Sequence, residues 1–178
     1  MRNRYRRRLT TTIFSVISID LLTKQVALSY IGSSKRKVLG DFLSLHLTYN
    51  SGAAFNLATN RTTLLSGFSI AVAVLITWRA WHFVEKRWIS SAGLVLGGIS
   101  GNLIDRIFRP PGALAGQVVD WIELPDWPIF NCADSCIVIG ALIAIWLILR
   151  NVSPHASPTD RDSVSHVEQT WAEGQSDE

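Results

Sequence analysis

The sequence predicts an all-α membrane protein built on four spanning helices. Three observations carry that reading: four apolar segments of at least 21 residues, a charged fraction of 17% against a usual ~25%, and five arginines within the first eight positions. A length of 178 residues suits one compact unit, and 48% apolar residues with seven tryptophans exclude disorder over most of the chain. Two cysteines make no disulfide framework.

The spans are predicted at 9–31, 62–83, 88–108 and 129–149. At ~1.5 Å per residue each reaches ~31 Å or more, the depth of a hydrocarbon core. The first contains Asp20 and Lys24, which interrupt the apolar run, and no small-x-small site follows. It therefore reads as a retained helix and not a cleaved signal peptide. The second is among the purest. The third carries Asn102, Asp105 and Arg106, and its GLVLGGISGN run suits close helix packing. No Lys stands where a phosphate-cradling loop needs one. The fourth ends in the uninterrupted IVIGALIAIWLIL. Between the first two, DFLSLHLTYN alternates apolar and polar residues, as a paired strand or an amphipathic surface element does. From 151 onward the chain is polar and acidic and is expected to be disordered.

The net charge of +3 conceals a split: residues 1–8 carry +5 and residues 150–178 carry −4. Arginines abutting an apolar stretch read as an orientation signal rather than as a nucleic-acid contact. The N-terminus is then cytoplasmic, and four spans return the tail to the same side. Lys86 and Arg87 in the 84–87 turn agree; Lys35, Arg36 and Lys37 fall in the outer loop against the rule. The resulting organisation is a basic N-terminus (1–8), a four-helix membrane domain (9–150) and a cytoplasmic tail (151–178).

A charge inside a bilayer costs ~2.5–3.5 kcal/mol on insertion scales, so it needs a partner or a task. The predicted topology brings Asn50, Asn102, Asp105, Arg106, Asp120, Asn131 and Asp134 to the outer face. Asp20 and Lys24 stand i,i+4 and can pair. Asp105 and Arg106 diverge by ~100° on a helix, so Arg106 anchors another segment or a headgroup. Asp120 and Asp134 admit two readings: a carboxylate dyad sharing one proton, or a loop acid beside a helix N-terminal acid. Cys132 and Cys136 have no accompanying His or Cys cluster for zinc and read as small packing residues. His46 and His82 fall on opposite sides. A second functional class, a small proton-coupled transporter using intramembrane carboxylates, lacks any sign of inverted repeats or broken helices.

Five short motifs occur in order: IDLLTK (19–24), NSGAAF (50–55), GNLIDR (101–106), VVDW (118–121) and FNCADS (130–135). With them the chain resembles lipoprotein signal peptidase (signal peptidase II), a family of bacterial inner-membrane aspartic peptidases, over about residues 13–149. The resemblance implies four transmembrane helices with both termini cytoplasmic, and a small β-cradle and an amphipathic element on the periplasmic face. It implies catalytic roles for Asp120 and Asp134. Asn50, Gly52, Asn102, Asp105, Arg106 and Asn131 are implied to line or brace the site, with Asp20 and Lys24 supporting it from the first helix. The implied substrate is a diacylglyceryl-modified prolipoprotein cut before its lipidated cysteine. No metal or organic cofactor is implied, globomycin is the implied inhibitor, and a monomer is expected. Trp121 stands where Phe is usual, and the 107–129 stretch, with RPPGALAG, departs from common members.

Overall fold

Four long helices run α1 Arg2–Tyr30, α2 Thr59–Ala80, α3 Lys86–Phe108 and α4 Cys132–Leu149 in the computed structural model, which describes residues 2–32, 34–52 and 59–155. Three strands, β1 Arg36–Leu39, β2 Leu43–Asn50 and β3 Val118–Glu123, form an antiparallel sheet in the order β1-β2-β3. The alternating DFLSLHLTYN segment is thus the middle strand. Positions 53–58 and 156–178 lie outside the described residues, and with them the last three residues of the NSGAAF box and the expected disorder of the tail. Among the described residues there is no separate amphipathic helix.

The helix boundaries differ from the expected ones for local reasons. α1 contains neither Gly nor Pro, so it runs unbroken from Arg2 and takes the arginine cluster into its first turns instead of leaving it as a separate segment before position 9. Its 29 residues reach ~44 Å, longer than a hydrocarbon core. α2 stops at Ala80, three residues short of the expected end. α3 starts at Lys86 because the Glu85 side chain accepts from the backbone N–H groups of Arg87 and Trp88. α4 starts three residues later than expected: Phe130 is held in a bridge to Ile122, and Asn131 caps the helix.

Three helices among the described residues are long and apolar enough to cross a membrane: Asn3–Tyr30, Thr62–Ala80 and Cys132–Leu149. They leave large apolar side chains uncovered, among them Phe14, Leu22, Leu64, Phe68, Leu142 and Ile148, as helices facing lipid do. α3, read from the sequence as the third of four spans, is not one of the three. It packs against α1 and α4, and buries Ile89, Ala92, Leu96 and Ile99 on protein. A helix wrapped by its neighbours can carry polar residues that a lipid-facing helix cannot. The contact is close: a Cβ on Gly97 would stand 2.6 Å from Val16 Cβ of α1, and one on Gly98 would collide with the Ala133 carbonyl oxygen of α4.

Candidate active site

The sheet and the adjoining ends of α3 and α4 position the polar residues. Asp120 stands on β3 opposite Thr48 of β2, and β2 ends at Asn50. After β3 the chain turns back through residues 124–129. Phe130 N–H donates to Ile122 O (3.0 Å), while Trp121 and Ile122 N–H groups donate to Phe130 O (3.0 and 2.9 Å). That return places Asn131 beside Asp120 although they are eleven residues apart in sequence. Asn131 then opens α4 with a capping box: its side chain accepts from Asp134 N–H (3.0 Å), and Asp134 Oδ2 accepts from Asn131 N–H (3.2 Å).

The two carboxylates are held by amides. Asp120 Oδ1 accepts from Asn131 Nδ2 (2.6 Å), and its Oδ2 accepts from Asn50 Nδ2 (2.9 Å). Asp134 Oδ1 accepts from Asn102 Nδ2 (2.7 Å). Asn131 Nδ2 also reaches Asn102 Oδ1 (3.1 Å), so one asparagine links the surroundings of both acids. Asp120 is 1% exposed, whereas Asp134 is only half-buried and forms the more open side. Burial pushes the Asp120 carboxyl up to about 6. The amides of Asn50 and Asn131 oppose that rise, and the charge of Asp134 adds to it.

Beneath the pair lies a closed ionic cluster. Lys24 is fully buried, and its Nζ meets Asp20 Oδ2 (2.7 Å), Asp105 Oδ2 (2.8 Å) and Asn102 Oδ1 (3.1 Å). Asp20 Oδ1 accepts from Ala133 N–H (3.0 Å), and Asp105 Oδ2 accepts from Val119 N–H (3.3 Å). The cluster therefore ties α1, α3, α4 and β3 together one residue away from each acid of the pair. Gly52 (φ +79°) donates its N–H to Asn50 Oδ1 (2.7 Å), and a Cβ there would stand 3.1 Å from Arg106 Nη2. Arg106 is attracted by Asp120, Asp134 and Asp105, and its buried Nη1 has no hydrogen-bond partner among the described residues.

All ten residues singled out in the sequence thus fall in one region. The sequence reading missed Arg109, whose Nε pairs with Asp105 Oδ1; the i,i+4 spacing was the available signal. It also missed Ser66, whose hydroxyl donates to Leu114 O (2.7 Å) and fixes the 109–117 loop to α2. Among the described residues no group of three or more His, Cys, Asp or Glu could hold a metal ion.

The family model for signal peptidase (SPase) II matches residues 12–150. The lipoprotein signal peptidase of Rhodococcus jostii strain RHA1 is 41% identical over 140 residues, covering 78% of this chain and 71% of that protein. That of Mycobacterium leprae strain Br4923 is 38% identical over 133 residues, covering 74% of this chain and 66% of its relative. A bacterial membrane enzyme solved at 1.9 Å superposes with a TM-score of 0.71 at 25% identity, over 81% of this chain and 94% of the other.

Proposed function

The chain belongs to the signal peptidase II family, and on that premise we propose that it is an intramembrane aspartic endopeptidase. It removes the signal peptide from diacylglyceryl-modified prolipoproteins, cutting just before the lipidated cysteine. The observation that carries this reading is the pair Asp120 and Asp134, with all four carboxylate oxygens held and Asn131 shared between them.

In the proposed reaction the pair holds one proton. The ionised member takes a proton from water as the water oxygen bonds to the scissile carbonyl carbon. The protonated member gives its proton to the leaving nitrogen as the C–N bond breaks. The water proton remains on the pair, so one proton is again present at the end. Asp120, with its carboxyl near 6, exchanges a proton in the range where such a pair must work. Asn102 and Asn131 orient the carboxylates, and Asn50 and Arg106 border the space above them. No metal or cofactor enters this scheme.

The substrate's acyl chains stay in lipid while its peptide lies across the pair. In this reading α3 also spans, as the third of four helices, both termini are cytoplasmic, and residues 9–150 form the peptidase domain. The pair then sits at the periplasmic face of the inner membrane in a monomer. Cleavage of a lipidated precursor by the purified protein in detergent tests the proposal. Wild type should cut at the lipidated cysteine and be blocked by globomycin, while Asp120→Asn and Asp134→Asn should each retain less than a few per cent of turnover. A folded Asn variant that still cuts would remove that residue from the pair.

A further inference from the structure

At the end of the bundle away from the acids, a cavity of about 630 Å³ opens between the first turns of α1, the end of α2 and the start of α3. Ile89 on its wall and Asp105 beside the acids are separated by ~24 Å of helix. Its floor is apolar, with Leu9 and Ile89 buried. Its rim is cationic and aromatic. The Arg6 guanidinium lies 4.1 Å from the centre of the Trp81 ring, and that of Arg79 lies 5.8 Å from the Trp78 ring. Among the described residues no Asp or Glu lines it, and neither Arg6 nor Arg79 has an ion-pair partner. His155 also lines it: its Nδ1 lies 3.1 Å from the His82 carbonyl oxygen, and its ring is tilted 58° against that of Phe83, with 6.0 Å between ring centres.

We propose that this cavity is a binding site for the headgroup of an anionic phospholipid, separate from the peptidase site. Trp78 and Trp81, 61% and 51% exposed, stand at the end of a membrane-crossing helix, the depth at which tryptophans mark the lipid–water boundary. A phosphate entering at that depth meets two arginines already oriented by the indole faces, while its acyl chains lie along the uncovered apolar side of α2. The volume is within the ~300–1,000 Å³ of small-molecule sites. The selectivity expected is for net negative charge, because a zwitterionic headgroup would bring its own cation to an arginine-lined rim.

Thermal unfolding of the full-length protein in a neutral detergent, titrated with short-chain phosphatidylglycerol, phosphatidylcholine or inorganic phosphate, tests the site. Phosphatidylglycerol should raise the unfolding temperature saturably, and the other two should not. Arg79→Gln, at an exposed position, and the double variant Arg6→Gln/Arg79→Gln should each raise the half-saturating concentration by about tenfold or more, the worth of a charged hydrogen bond. Arg79→Lys should lose less, and turnover of a lipidated precursor should be unchanged in all three. Equal responses to the two lipids, wild-type titration by the double variant, or an equal effect of inorganic phosphate would overturn the proposal. So would a protein lacking residues 156–178 that binds phosphatidylglycerol far more tightly, since the acidic tail would then be the resident occupant.

Discussion

Lys24 is a single buried cation that ion-pairs with two carboxylates and donates a hydrogen bond to Asn102. Such a cluster contributes little against an apolar replacement, but breaking it leaves charges stranded. Lys24→Met should therefore destabilise the protein by about 3–5 kcal/mol, and Asp20→Asn/Lys24→Met/Asp105→Asn should recover most of that loss, both read by thermal unfolding in detergent. The i,i+4 spacing made the Asp20–Lys24 pair legible in the sequence. Asn102, 78 residues farther on, was legible as a member of the site but not as a ligand of Lys24, because only helix packing brings it there. Asp120 gives a second test. Its carboxyl rises from an ordinary 3.8 to about 6, so the folded state binds more proton than the unfolded one between those values. Stability falls as pH rises through that window and stays lower above it. Asp120→Asn removes the charged form, whose burial costs up to about 3 kcal/mol, and loses one acceptor worth about 1 kcal/mol. The variant should be the more stable protein above pH 6 by about 1–2 kcal/mol, with the gain gone by about pH 4, as unfolding across pH will read.

At the scale of elements, α3 is a wedge whose small residues set the spacing of its neighbours. Gly98→Ala would drive a methyl group into the Ala133 carbonyl, next to Asp134. The expected cost is about 1–3 kcal/mol, with a fall in turnover of about tenfold or more as α4 shifts the acid. Gly67→Ala on α2 meets nothing within 4 Å and should leave turnover unchanged, or stabilise the helix by up to ~1 kcal/mol. Equal loss in both would remove the packing argument. The glycine run announced close packing, yet the polar end made α3, like α1, one of the two weaker spans to read, since hydropathy scores lipid exposure and α3 faces protein. The middle strand showed in its alternation. β1, four exposed residues, and β3, buried at Val118 and Val119 and therefore without alternation, carried no such pattern.

At the scale of the molecule, the acids and the arginine-lined cavity occupy opposite ends of the bundle, and the positive-inside rule applied to the N-terminal arginines predicts that the cavity end faces the cytoplasm. A reporter fused after residue 150 should be active in the cytoplasm and one inserted between 32 and 36 in the periplasm; the reverse pattern would put the acids on the wrong side for the proposed peptidase. The ionic cluster adds a consequence for biogenesis. α1 enters the bilayer first with Asp20 and Lys24, but Asp105 arrives with α3, and the Ala133 N–H that meets Asp20 arrives only with α4. Until synthesis passes Ala133, the nascent chain keeps unsatisfied charge at membrane depth, and the last helix to be inserted is the one that completes it.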